Sequence, residues 1–161
     1  MTRYRRDRFK PGILLILAIL LPVLGGCETS SGPKFEQFTQ SFDDAVAESE
    51  SSGRPIMMLF TGSDWCPPCM ALEREVIGEP EFEEWASENV VLMLVDQPRH
   101  RELDADVRKQ NNELFNRYGV SGVPTILFLD QDQEVIGKLG YRPGGPKPWI
   151  GAANKLLAKN K

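Results

Sequence analysis

The chain has 161 residues, a formal net charge of −4, three cysteines and a single histidine. That length suits one domain with one core, and the acidic balance argues against nucleic acid as a partner, since phosphate recognition relies on clustered Lys and Arg. Beyond the pair Cys66 and Cys69 the only other cysteine is Cys27, at the end of the N-terminal apolar segment, and the only histidine is His100, so closing a zinc site on that pair would need carboxylates or a second chain.

The N-terminus reads as a leader rather than as part of the fold. Arg3, Arg5, Arg6, Arg8 and Lys10 form a basic segment, residues 13–24 form an apolar segment, and Leu24-Gly25-Gly26-Cys27 follows. The apolar run is shorter than the about 20 residues a membrane span needs, and Pro22 interrupts its end, although a retained signal anchor stays an alternative. Leu-Gly-Gly-Cys resembles the lipobox of bacterial lipoproteins, which implies that Cys27 becomes the lipidated first residue after cleavage. The alternative is an ordinary signal peptide with Cys27 as a spare thiol or dimer bridge. Loss of residues 1–26 removes five basic residues and one acid, so the formal charge moves from −4 to −8. The expected organisation is a signal peptide over 1–26, a Ser/Gly/Pro tether over 27–34 and one domain over 35–161.

Within that domain, Phe35, Phe38, Phe42 and Val46 recur at helical spacing and predict a first helix ending before Gly53. Ile56 to Thr61 is an apolar run between Pro55 and Gly62-Ser63-Asp64, read as a strand. It leads into Trp65-Cys66-Pro67-Pro68-Cys69. Pro67 and Pro68 fit a helix's first turn, and residues 71–75 are helix formers, so Cys66 is expected at a helix N-terminus. There, unpaired N–H groups and the helix dipole would stabilise a thiolate, the nucleophile of disulfide exchange. Cys66 is therefore expected to attack, and Cys69, one turn further in, to resolve the mixed disulfide. A purely structural disulfide closing so short a loop would remove little chain entropy.

Residues 80–88 read as a short acidic helix burying Phe82 and Trp85, and 90–95 as a strand buried on both faces. A polar loop over 96–103 precedes an amphipathic helix over 104–118 with Val107, Leu114, Phe115 and Tyr118 inward, stopped by Gly119. Strands over 125–129 and 134–139 flank the turn Asp130-Gln131-Asp132-Gln133, which lacks the Gly and terminal Glu of an EF-hand loop. A Gly/Pro-rich loop over 140–148 and a helix over 149–161 complete the pattern.

This order, with Trp-Cys-x-x-Cys after one strand and Gly122-Val123-Pro124-Thr125 before another, resembles the thioredoxin family over nearly all of residues 35–160. The resemblance implies an α/β thioredoxin fold, a central mixed sheet of about four strands flanked by helices. It also implies a cis Val123-Pro124 bond, with Thr125 completing the motif, and a groove for the substrate disulfide rimmed by Trp65, Val123, Pro124 and Gly140. No cofactor is expected beyond the Cys66-Cys69 disulfide, and no metal. In many members a buried Asp on the strand before the cysteines, beside a neighbouring Lys, helps deprotonate the resolving thiol. Here Met57, Met58, Leu59 and Phe60 occupy that strand and 90–95 holds no Lys, which leaves water, Asp64 or Glu73 for the task. Pro67-Pro68 tunes the couple's potential, and a Pro before the second Cys is similar to reducing members. The implied function is reduction of protein disulfides in the cell envelope by a monomer held at the membrane through Cys27 and recharged by a membrane thiol donor. Oxidase or isomerase action is the alternative within the enzyme class, and a non-catalytic binding module the alternative outside it.

Overall fold

The computed structural model describes residues 35–160; the segments expected to be a signal peptide and a tether, with Cys27, lie outside them. Strand β1 (Ile56–Thr61) is central in the sheet order β2-β1-β3-β4. It pairs in parallel with β2 (Val91–Asp96) and antiparallel with β3 (Thr125–Leu129), which turns back through β4 (Val135–Leu139). A parallel pair needs a long crossover. Here it consists of α2 (Pro67–Leu72), a π-helical turn (Glu73–Ile77) and α3 (Pro80–Asn89).

Strands β1, β2 and β3 are buried along their length because helices cover both faces. Side chains alternate across a strand, so β1 sends Met57 and Leu59 to one face and Ile56, Met58 and Phe60 to the other. The first face packs Leu72, Val76, Phe82 and Trp85 together with Trp149 and Ala153 of α5 (Pro146–Leu157). The second packs Ala45 of α1 (Phe42–Ser52), Leu114 of α4 (Ala105–Arg117) and Val120. Gly119, with φ of 60°, ends α4 as its position predicts. The expected four-stranded mixed sheet flanked by helices is present.

Two boundaries differ from the sequence reading. The first helix starts at Phe42 behind the Ser41 cap, because Thr39 is drawn into a parallel bridge with Met93: its N–H donates to the Leu92 carbonyl at 3.0 Å and its carbonyl accepts from the Leu94 N–H at 2.9 Å. Phe38 consequently enters the first face's core and Phe42 packs on the second, which no single helical stripe can do. The last helix begins at Pro146, where a proline at the first helical position costs no hydrogen bond.

Candidate functional site

At the end of β1 the chain folds back on Gly62, whose carbonyl accepts the N–H groups of Trp65 at 3.3 Å and Cys66 at 3.0 Å. That turn places Cys66 in extended conformation as the N-cap of α2. Cys66 and Cys69 are joined in a disulfide with Cα atoms 5.2 Å apart, each only 3% exposed. Pro67, Pro68 and Met70 form the exposed surface beside it.

The free N–H groups expected at this helix start are not there. The first two helical positions are prolines, and the N–H groups of Cys69 and Met70 both donate to the Cys66 carbonyl, at 3.0 and 3.1 Å. What remains for a Cys66 thiolate is the alignment of backbone dipoles along the following turns, a weaker influence than direct donors.

The second motif reaches the disulfide through strand pairing. Thr125 lies opposite Phe60, near the end of β1 from which the cysteine turn departs. The Val123-Pro124 bond is cis, and the Val123 carbonyl oxygen is 3.7 Å from Cys66 Sγ. In the disulfide this is a contact without a hydrogen; in the dithiol state a Cys66 S–H could donate there. Thr125 Oγ1 donates to the Gly122 carbonyl at 2.8 Å and steadies the loop. A Cβ on Gly140 would lie 3.5 Å from the Pro124 carbonyl oxygen, and the Gly140 carbonyl accepts from Trp149 Nε1 at 3.1 Å. Cys66, Val123, Pro124 and Gly140 are thus brought together.

Trp65 makes its own set of contacts. Its indole lies over Gly62, where any Cβ would overlap the ring, so this glycine is required by close approach. Nε1 donates to the Gln97 carbonyl at 2.7 Å, and the Arg99 guanidinium carbon lies 3.7 Å from the ring centroid. The half-buried Trp65 is therefore seated against the loop after β2.

That loop, read from sequence only as polar, is a frame for the site. The buried Asp96 accepts from Ser63 N–H at 3.0 Å and Ser63 Oγ at 2.6 Å and pairs with Arg101, while Asn111 Nδ2 donates to the Asp96 carbonyl at 2.8 Å. Asp64 accepts from the N–H groups of Arg99 and His100 at 2.9 and 2.7 Å. Partial desolvation works against ionisation of Asp64, but these hydrogen bonds and the neighbouring His100 hold its carboxyl below the ordinary value. A carboxylate so engaged is a poor proton acceptor for Cys69. An acid closing an otherwise apolar strand is a signal that could have found Asp96, which the sequence places only in a polar loop; nothing local marks Asn111.

Among the described residues no group of three or more His, Cys, Asp or Glu side chains could hold a metal, and no helix is long and apolar enough to cross a membrane. The thioredoxin-like domain family matches residues 42–145. The disulfide bond reductase DsbH of Chlamydia pneumoniae is 27% identical over 150 residues, 88% of this chain and 90% of that protein. The thiol:disulfide interchange protein DsbD of Haemophilus influenzae is 31% identical over 105 residues, 64% of this chain but 16% of DsbD. A solved DsbH oxidoreductase structure superposes with a TM-score of 0.73 at 29% identity, covering 76% of this chain and 84% of the other.

Proposed function

The chain belongs to the thioredoxin-like domain family, and on that premise we propose that it is an extracytoplasmic, membrane-tethered thiol-disulfide oxidoreductase that reduces protein disulfides. The Cys66-Cys69 disulfide and the names of its DsbH and DsbD relatives support thiol-disulfide exchange as the reaction class. In the reducing direction the Cys66 thiolate attacks one sulfur of the substrate disulfide. The substrate's other sulfur leaves as a thiolate and takes a proton. Cys69, deprotonated, then attacks Cys66 Sγ in the mixed disulfide, releasing the second substrate thiol and forming Cys66-Cys69. Two electrons and two protons pass from protein to substrate, and a dithiol donor at the membrane reverses the change in the protein.

The observation that carries the direction is the absence of free N–H donors at the start of α2. A strongly oxidising couple owes its high potential to a stabilised reduced form. Pro67 and Pro68 remove two donors and the Cys66 carbonyl engages the next two, so the reduced form gains little from them and the couple should be reducing. Equilibrating the full-length chain against glutathione and dithiothreitol buffers, with alkylation of free thiols, measures this. The expected result is one two-electron transition near the thioredoxin value of about −270 mV; a value near the about −120 mV of DsbA would move the protein to oxidase or isomerase work.

The tether is assigned to Cys27 from its place after Leu24-Gly25-Gly26. Cys27→Ala is expected to shift the mature protein from the membrane to the soluble fraction and to abolish incorporation of a labelled fatty acid. Membrane retention without label would indicate a signal anchor instead.

A further inference from the structure

Resting on that exchange reading, we propose that Arg99 is a specificity-determining residue of the site, selecting protein disulfides whose reacting cysteine is flanked by Asp or Glu. Arg99 is tied to the redox centre by three separate links. Its own N–H is held by Asp64, the Trp65 indole donates to Gln97 two residues before it, and its guanidinium lies on the Trp65 ring. Asp64 and Trp65 are the two residues preceding Cys66, so this exposed cation is held on the residues that lead into the attacking sulfur.

Its charge is also available. Arg101 is engaged by the buried Asp96, whereas no carboxylate among the described residues forms an ion pair with Arg99. Stacking on an indole orients a guanidinium while leaving its N–H edge open, and that edge matches a carboxylate in bidentate geometry. The adjoining recess, about 430 Å³, is lined by Arg99, Arg101 and Arg108 against Glu102 and the already paired Asp96. The chain as a whole is acidic, with a formal charge of −4. At physiological salt that distant charge is screened over roughly 8 Å, so the charges around Trp65 weigh more: the Arg99 guanidinium, and the Asp64 carboxylate already engaged by the Arg99 and His100 N–H groups. The step selected is the first one, attack of Cys66 on the substrate disulfide. A carboxylate beside the target cysteine would bind Arg99 and hold the scissile bond at Cys66.

The test uses the full-length chain in its reduced form and two peptides, identical except that their single cysteine is flanked by Glu in one and Lys in the other. Each cysteine is presented as its mixed disulfide with 2-mercaptoethanol, and the readout is the Glu-to-Lys ratio of exchange rates within each variant, so that loss of folded protein cancels. From wild type to Arg99→Gln the ratio is expected to fall roughly threefold, the size of an exposed charge pair, and to fall further in Arg99→Glu. Arg99→Lys should keep most of the preference, and raised salt should erode it. The same ratio in wild type, Arg99→Gln and Arg99→Glu would overturn the role of Arg99 while leaving the oxidoreductase reading intact. Failure of the wild type to exchange with either peptide would overturn both.

Discussion

Cys66→Ser is expected to reduce thiol-disulfide exchange to the uncatalysed background, whereas Cys69→Ser should accumulate a covalent complex between Cys66 and the substrate. A serine hydroxyl does not supply the thiolate that attacks a disulfide, so the first change removes the initiating step. The second leaves that step intact and removes only the sulfur that releases the product. The asymmetry follows from position. Cys66 is at the head of α2 against the Val123 carbonyl of the cis-proline loop, while Cys69 is inside the first turn of the helix. Mass spectrometry of each variant after mixing with a disulfide substrate, under non-reducing conditions, separates the two. A stable adduct on the Cys66→Ser protein would exchange the roles of the cysteines. Full cellular function in both variants would favour a binding module over an enzyme.

Trp149→Ala is expected to cost about 3–5 kcal/mol of folding stability, a large share of what a domain of this size possesses. Trp149 is completely buried. It makes edge contacts with Phe82 and Trp85, at centroid separations of 5.6 and 6.0 Å, and a tilted one with Phe128 at 6.5 Å. Truncation opens a cavity at the junction of α3, α5 and β3 and removes the Nε1 hydrogen bond to the Gly140 carbonyl, worth about 1 kcal/mol more. Because Gly140 approaches Pro124, the same change should loosen the groove wall opposite Cys66. Urea unfolding followed by far-ultraviolet circular dichroism measures the loss, and Trp149→Phe, which refills most of the volume, should recover part of it. A loss below about 1 kcal/mol would be too small for a residue with this packing.

Much of the candidate site was legible because its signals are short in range. Two thiols three positions apart, prolines between them and an apolar run before them specify a strand, a turn and a helix start without any distant partner. Val123-Pro124-Thr125 announced itself by resemblance alone; what joins it to Cys66 is the antiparallel pairing of β1 with β3, which brings residues 57 positions apart into contact. The N–H groups at the start of α2 were misjudged although both prolines were in view. Their absence of donors is local, but the engagement of the Cys69 and Met70 N–H groups by the Cys66 carbonyl appears only once the turn is built.

Phe35 and Phe38 show the limit of periodicity. Their spacing continues the stripe of Phe42 and Val46, yet Thr39 pairs with β2, more than fifty residues away, and the hydrogen bonds of that bridge outweigh a local helical preference. The loop after β2 shows the same limit at the site. Nothing near Asp64 or Trp65 in the chain says that Gln97, Arg99 and His100 will receive them; the parallel register that sets Thr61 beside Asp96 does. Apolar runs, prolines and cysteine spacing act on neighbouring residues, and they are enough to set the strands, the placement of the thiols at a helix start and the chemistry those thiols can perform. Which groups surround those thiols, and where the exposed charge of Arg99 lies, depend on strand pairing, which joins segments that are remote along the chain.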